Sequence, residues 1–127
     1  MMSRRIRALI VEDSPFILEN LQAMLEENGS VEVVGTAAAQ VQACAWMDSR
    51  TQGCDIAIID IFLRSGNGFG VLQHIAGYER PPERVVLTNY ATPEIRQRCR
   101  GLGADAVFDK STEIEGLVDW LEAHARD

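Results

Sequence analysis

Short, continuously apolar runs alternate along this chain with longer stretches in which apolar residues recur every three or four positions. The runs at residues 7–11, 31–35, 56–60, 84–88 and 106–109 read as strands, since four or five apolar residues are too few for a buried helix. The first and third do not alternate with polar residues, as expected of strands covered on both faces. Between the strands lie helical patterns. Ser14 and Pro15 suit the N-cap and first position of a helix that carries Ile17, Leu21, Met24 and Leu25, with Asn28-Gly29 as its stop. Residues 38–49 form a second, with Val41 and Ala45 on one face, ahead of the turn-prone Thr51-Gln52-Gly53. The glycine-punctuated Ser65-Gly66-Asn67-Gly68 leads into a short third with Phe69, Leu72, Ile75 and Ala76 inward, ended by Arg80-Pro81-Pro82. Residues 93–102 place Ile95, Cys99 and Leu102 on one stripe, and residues 113–125 do so with Ile114, Leu117, Val118 and Leu121.

Five strands alternating with five helices predict an α/β fold: a doubly wound parallel sheet with right-handed crossovers and helices on both faces. Strand order 2-1-3-4-5 puts a topological switch point between the first and third strands, where such sheets bind their ligands. Polar residues stand at the strand ends. Glu12 and Asp13 follow the first strand, Asp60 ends the third, Thr88 ends the fourth and Lys110 follows the fifth. All would meet at one edge of the sheet. Two carboxylates about 5 Å apart repel by about 3 kcal/mol at an effective dielectric near 20, so the edge needs a cation.

The length of 127 residues predicts one domain, residues 1–127 with a core at about 5–125. Such a chain buries roughly two thirds of its unfolded surface, enough to fold without disulfides or a structural metal. A net charge of −7 disfavours direct contact with nucleic acid or an anionic membrane. Cys44, Cys54 and Cys99 are odd in number and lack a CxxC pair, which suits buried thiols in a reducing compartment. The apolar run after Arg4-Arg5 is too short for a signal peptide, and no run approaches a membrane span, so a cytoplasmic location is expected.

The acidic pair, Asp60, the segment Asp60-Ile61-Phe62-Leu63-Arg64-Ser65-Gly66-Asn67-Gly68, Thr88 and Lys110, in that order, resemble the receiver domain of two-component response regulators, with its flavodoxin-like, CheY-like fold. The resemblance covers residues 5–125. It implies that Asp60 accepts a phosphoryl group from a phosphohistidine of a sensor histidine kinase or histidine phosphotransfer protein. It implies a Mg²⁺ (or Mn²⁺) ion on Asp13, Asp60 and the Phe62 main-chain carbonyl, with Glu12 acting through a metal-bound water. Lys110 would pair with Asp60 at rest and with a phosphoryl oxygen afterwards, and Thr88 would donate its hydroxyl to another. The output, on a downstream protein the sequence does not name, would be altered binding at the face of helix four, strand five and helix five. The domain would be a phosphorylation switch and not an enzyme beyond its own phosphorylation and dephosphorylation. Whether it acts alone or belongs to a longer regulator stays open.

The chain departs from the family pattern in several places. The aromatic residue usual three positions before the lysine is Val107; Phe108, on the opposite face, reads as core. Arg64 stands where many members have proline. Phe62 and Tyr90 lie two residues beyond Asp60 and Thr88, where bulky side chains would shield an acyl phosphate from water. Arg96, Arg98 and Arg100 oppose Glu113, Glu115, Asp119 and Glu122 on the last helix, which suits either pairing across a homodimer axis or a solvated face. Trp120 is either an exposed interface anchor or partly buried. Trp46 and Met47 miss the apolar stripe of their helix, which leaves a second contact surface open, while His74 and His124 have no partner at ligand or catalytic spacing and are read as surface residues. Two alternatives remain: a phosphorylation-independent scaffold, and a haloacid dehalogenase-type phosphatase, which would need an acid where Phe62 stands.

Overall fold

A computed structural model describes residues 5–27, 29–49 and 53–125. Its strands are β1 (Ile6–Val11), β2 (Val31–Ala37), β3 (Ile56–Ile59), β4 (Glu83–Thr88) and β5 (Ala106–Asp109). Its helices are α1 (Pro15–Glu26), α2 (Gln40–Ser49), α3 (Gly68–Ala76), α4 (Pro93–Gly101) and α5 (Ile114–Ala125). Every strand pairing is parallel and the order is β2-β1-β3-β4-β5, as the alternation predicts.

Both faces of the sheet are covered, which explains why β1, β3 and β4 lack polar alternation. Leu9, Val11, Ala57, Ile59 and Val86 pack with Ala43 and Met47 of α2, Leu72 and Ile75 of α3, and Cys99 of α4. The intervening Ala8, Ile10, Ile56, Ile58, Val85 and Leu87 pack with Leu21 and Leu25 of α1 and Leu117 and Leu121 of α5. Truncating any of the fully buried leucines or isoleucines among them to alanine should cost about 2–5 kcal/mol. The helices begin on side-chain caps: Ser14 Oγ accepts the Ile17 N–H at 3.4 Å, Asn67 Oδ1 the Gly70 N–H at 3.0 Å and Thr92 Oγ1 the Ile95 N–H at 3.2 Å.

Several sequence expectations change. Val41 is 79% exposed, and α2 instead buries Ala43 and Met47, one turn apart. Trp46 lies over Gly35 of β2, in the space a Cβ there would need. Met47 is therefore a core residue and Trp46 packs half-buried against the same core, so neither is an exposed anchor for a second contact surface. In α3, Val71 is buried and Ala76 exposed. Trp120 is half-buried against the α1–α5 core and stacks on His124 with ring centres 3.7 Å apart. His74 is exposed, as expected, and lies 2.8 Å from Asp48, whereas His124 is half-buried, hydrogen-bonded to the Trp120 carbonyl at 2.9 Å and 3.1 Å from Glu83. Position 28, expected in the helix stop, and positions 51 and 52 lie outside the described residues, but Gly29 has the left-handed φ of 77° that suits a helix end. Among the described residues no helix is long and apolar enough to cross a membrane.

Candidate functional site

The carboxyl ends of β1 and β3 are adjacent because the two strands pair directly, and the Asp60 N–H donates to the Val11 carbonyl at 3.0 Å. Glu12 extends β1 by one residue, its N–H bonded to the Ala37 carbonyl at 2.9 Å. One carboxylate oxygen from each of Glu12, Asp13 and Asp60 falls within 4.8 Å of the others. Glu12 and Asp60 are only 3% and 8% exposed. The Lys110 ammonium lies between them, donating to Asp60 Oδ2 at 3.0 Å and to Glu12 Oε1. Lys110 reaches this position because its N–H is bonded to the Thr88 carbonyl at 2.9 Å across the β4–β5 ladder.

Burial pushes the Asp60 carboxyl above the ordinary aspartate range, and Lys110 offsets only part of that effect. For Lys110, burial pulls the pKa down, but its hydrogen bonds to Glu12 and Asp60 and their charges outweigh it and keep the ammonium firmly protonated. Asp13, half-buried at the mouth, has no ion pair among the described residues; its Oδ2 accepts the Arg64 main-chain N–H at 2.7 Å. Three carboxylates against one ammonium leave a formal charge of −2, and all the donors are hard oxygens. That set fits a small divalent cation such as Mg²⁺.

Thr88 is fully buried, and its Oγ1 accepts the Tyr90 N–H at 3.2 Å. Phe62 and Tyr90, 47% and 61% exposed, meet edge to face with ring centres 5.0 Å apart. The loop carrying Phe62 is closed by an antiparallel bridge between Phe62 and Asn67, with the Gly68 N–H on the Ile61 carbonyl at 2.8 Å. Sequence reasoning missed two anchors of that loop, the Arg64 N–H and Gln40 of α2, whose Oε1 accepts the Asn67 N–H at 2.9 Å. Neither has a sequence signal, since one is a main-chain group and the other a single polar residue at a helix start.

The sequence profile of the response regulator receiver domain matches residues 8–122. The chain belongs to the response regulator receiver family. A protein-glutamate methylesterase/protein-glutamine glutaminase of Hahella chejuensis is 27% identical over 124 residues, covering 98% of this chain and 33% of the relative. The transcriptional regulatory protein PdtaR of Mycobacterium tuberculosis is 31% identical over 116 residues, covering 91% of this chain and 55% of PdtaR. The receiver thus spans only a third to about half of these relatives. In fold it matches the response regulator domain of Thermotoga maritima CheB, with a TM-score of 0.81 at 22% identity, over 97% of this chain and 95% of that one. Family membership, with Phe62 where a dehalogenase-type phosphatase needs an acid, sets the phosphatase reading aside.

The receiver's α4–β5–α5 side differs from the expectation of free charges. Arg96 is tied within the chain: Nε donates to the Ala91 carbonyl and Nη1 to the Val107 carbonyl, each at 3.0 Å, and Nη2 to Glu113. It is therefore not available for pairing across a dimer axis. The Arg98 guanidinium lies 3.9 Å from the centre of the Phe69 ring, a cation–π contact between α4 and α3, and Arg100 is exposed. Val107 is buried at 5% exposure in the α2–α4 layer. Phe108 packs in the opposite layer beside Gly116, as the strand periodicity predicts.

Proposed function

We propose that this receiver is a phosphorylation switch in which Asp60 is the phosphoryl acceptor. The observation carrying the proposal is the ammonium of Lys110 held between two buried carboxylates, with a third acid beside them at the switch point of the sheet. An Asp60 oxygen forms the bond to phosphorus as the phosphorus–nitrogen bond of a donor phosphohistidine breaks, and the imidazole departs. Asp13, Asp60 and the Phe62 carbonyl would hold Mg²⁺ or Mn²⁺ directly, and Glu12 would act through a water bound to it. When bound, that cation screens the carboxylate and phosphoryl charges from each other.

The residues of the chain do the rest. Lys110 exchanges a carboxylate partner for a phosphoryl oxygen, which offsets part of the added charge of about −1.5 to −2. Thr88 accepts a hydrogen bond through Oγ1 while its own proton remains free to be donated toward the phosphoryl group. Its displacement draws on the loop through Tyr90 and Ala91, and Arg96 links Ala91 to β5 and Glu113. The signal thereby reaches the α4–β5–α5 face, where Arg100 and Trp120 offer contacts to a downstream protein or a second copy. The phosphodonor is a sensor histidine kinase or histidine phosphotransfer protein, the location is cytoplasmic, and residues 1–127 act as one domain. The buried Val107, in place of a mobile aromatic, favours the scaffold as the second reading.

Intact mass after incubation with acetyl phosphate separates the two. A gain of about 80 Da that requires Mg²⁺, is lost in EDTA and is absent in Asp60→Ala is expected. An unmodified wild type under the same conditions overturns the switch in favour of the scaffold.

A further inference from the structure

Gln40, the first residue of α2, is bound to the loop that follows β3. Its main-chain N–H donates to the Ser65 carbonyl at 3.2 Å, and its side-chain Oε1 accepts the Asn67 N–H at 2.9 Å. The first N–H groups of a helix have no partner within it, so the loop satisfies one of them. Two glycines make room for this contact. A Cβ at Gly66, which also has a left-handed φ of 74°, or at Gly70 would overlap the Gln40 side chain. Asn67 in turn is bridged to Phe62 and caps α3 through the Gly70 N–H at 3.0 Å. From Gln40 the path to the Phe62 main chain is therefore one hydrogen bond and one bridge.

We infer that Gln40 is a positioning residue for the cation site: by holding Asn67 it sets the Phe62 carbonyl against the carboxylates of Asp13 and Asp60. The inference rests on the cation site proposed above. It makes α2 part of the site's support, although no residue of α2 supplies a ligand. Outer groups that orient metal ligands change affinity by about 10–100-fold when removed. A glutamine serving stability alone would lower the unfolding temperature and leave cation affinity unchanged.

The test is Mg²⁺ binding by isothermal titration calorimetry, with thermal unfolding in EDTA recorded for each variant. Wild type is expected to bind saturably and Asp13→Asn to lose that binding. Gln40→Ala is expected to weaken binding about tenfold while remaining folded. Gly70→Ala keeps Gln40 but places a methyl where its amide lies, and is expected to weaken binding similarly. In the double variant the three atoms nearest that methyl, all from the Gln40 side chain, are gone, so the second substitution is expected to add nothing. Wild-type affinity in folded Gln40→Ala, or in Gly70→Ala should Gln40→Ala fail to fold, overturns the positioning role and leaves the carboxylate site standing. Additive losses in the double variant overturn it as well. A wild type that binds no Mg²⁺ overturns the cation site and the positioning role together.

Discussion

The two halves of the sheet's carboxyl edge are held by different sets of side chains. At β1 and β3 the anchors are mainly main-chain donors from short loops: Ser14 N–H on Glu12 at 3.0 Å, Arg64 N–H on Asp13 at 2.7 Å and Asn67 N–H on Gln40 at 2.9 Å. At β4 and β5 one hydroxyl and one long side chain, Thr88 and Arg96, hold the loops. In the first half the anchors are spread over three acceptors on separate residues, whereas in the second a single guanidinium makes most of the bonds and can exchange partners with little backbone movement. The crowded acids thus sit on a stiff frame, and the part proposed to respond sits on an adjustable one. Lys110 spans the two halves.

Breaking that span should give the largest effect. In Lys110→Met, Glu12 and Asp60 stay buried with no cation between them, and losing one partner of a buried ion pair costs about 3 kcal/mol. Urea unfolding in EDTA is expected to show that loss, and saturating Mg²⁺ to recover part of it by binding the folded state. A Lys110→Met deficit under 1 kcal/mol in EDTA would mean that the two carboxylates are relieved by water or protonation and that Lys110 does not bind the halves together.

The aromatic pair sharpens the contrast in kinetics. Phe62 comes from the stiff half and Tyr90 from the adjustable one, and their exposed rings touch edge to face. Replacing both by serine should open Asp60 to water and speed loss of the phosphoryl group about tenfold, equivalent to about 1.4 kcal/mol of barrier. Decay of the phosphorylated protein after donor removal reads this directly. A wild-type lifetime of only seconds, or no change in the double variant, would show that the rings do not shield the bond.

The same division marks what was legible in the sequence. Strand order and the five polar positions could be read because burial on both faces leaves continuous apolar runs, and the residue that ends each run is fixed in space by the sheet. The face of α2 could not. Val41 looks like a core residue by type, but the inward line runs through Ala43 and Met47, and Ala43 carries little hydrophobic signal. The partners of Arg96 were equally hidden, because two of its three acceptors are main-chain carbonyls, which every residue has. Charge alone suggested a surface for pairing between copies. Geometry assigns that arginine to the inside of the molecule's own loop.

The Arg96–Glu113 contact gives the smallest expected effect and tests whether the responsive half is indeed loosely held. Hydrogen bonding to Arg96, and then to the Asp109 N–H at 2.9 Å, holds the Glu113 carboxyl below its ordinary range. A folded-state pKa below the unfolded value gives stability that is present above the unfolded pKa and lost as pH falls through the folded one. The side chain is 39% exposed, so solvent screens the pair and its contribution should be about 0.5 kcal/mol. Glu113→Gln should therefore be slightly less stable than wild type at pH 7, and the difference should close as pH falls from 5 toward 3. High salt should narrow it at pH 7 as well. Chemical denaturation of both proteins at three pH values measures it. A deficit of several kcal/mol at neutral pH would mean that Arg96 locks β4, β5 and α5 as firmly as the loops lock the acids, and the adjustable half would have to be sought elsewhere.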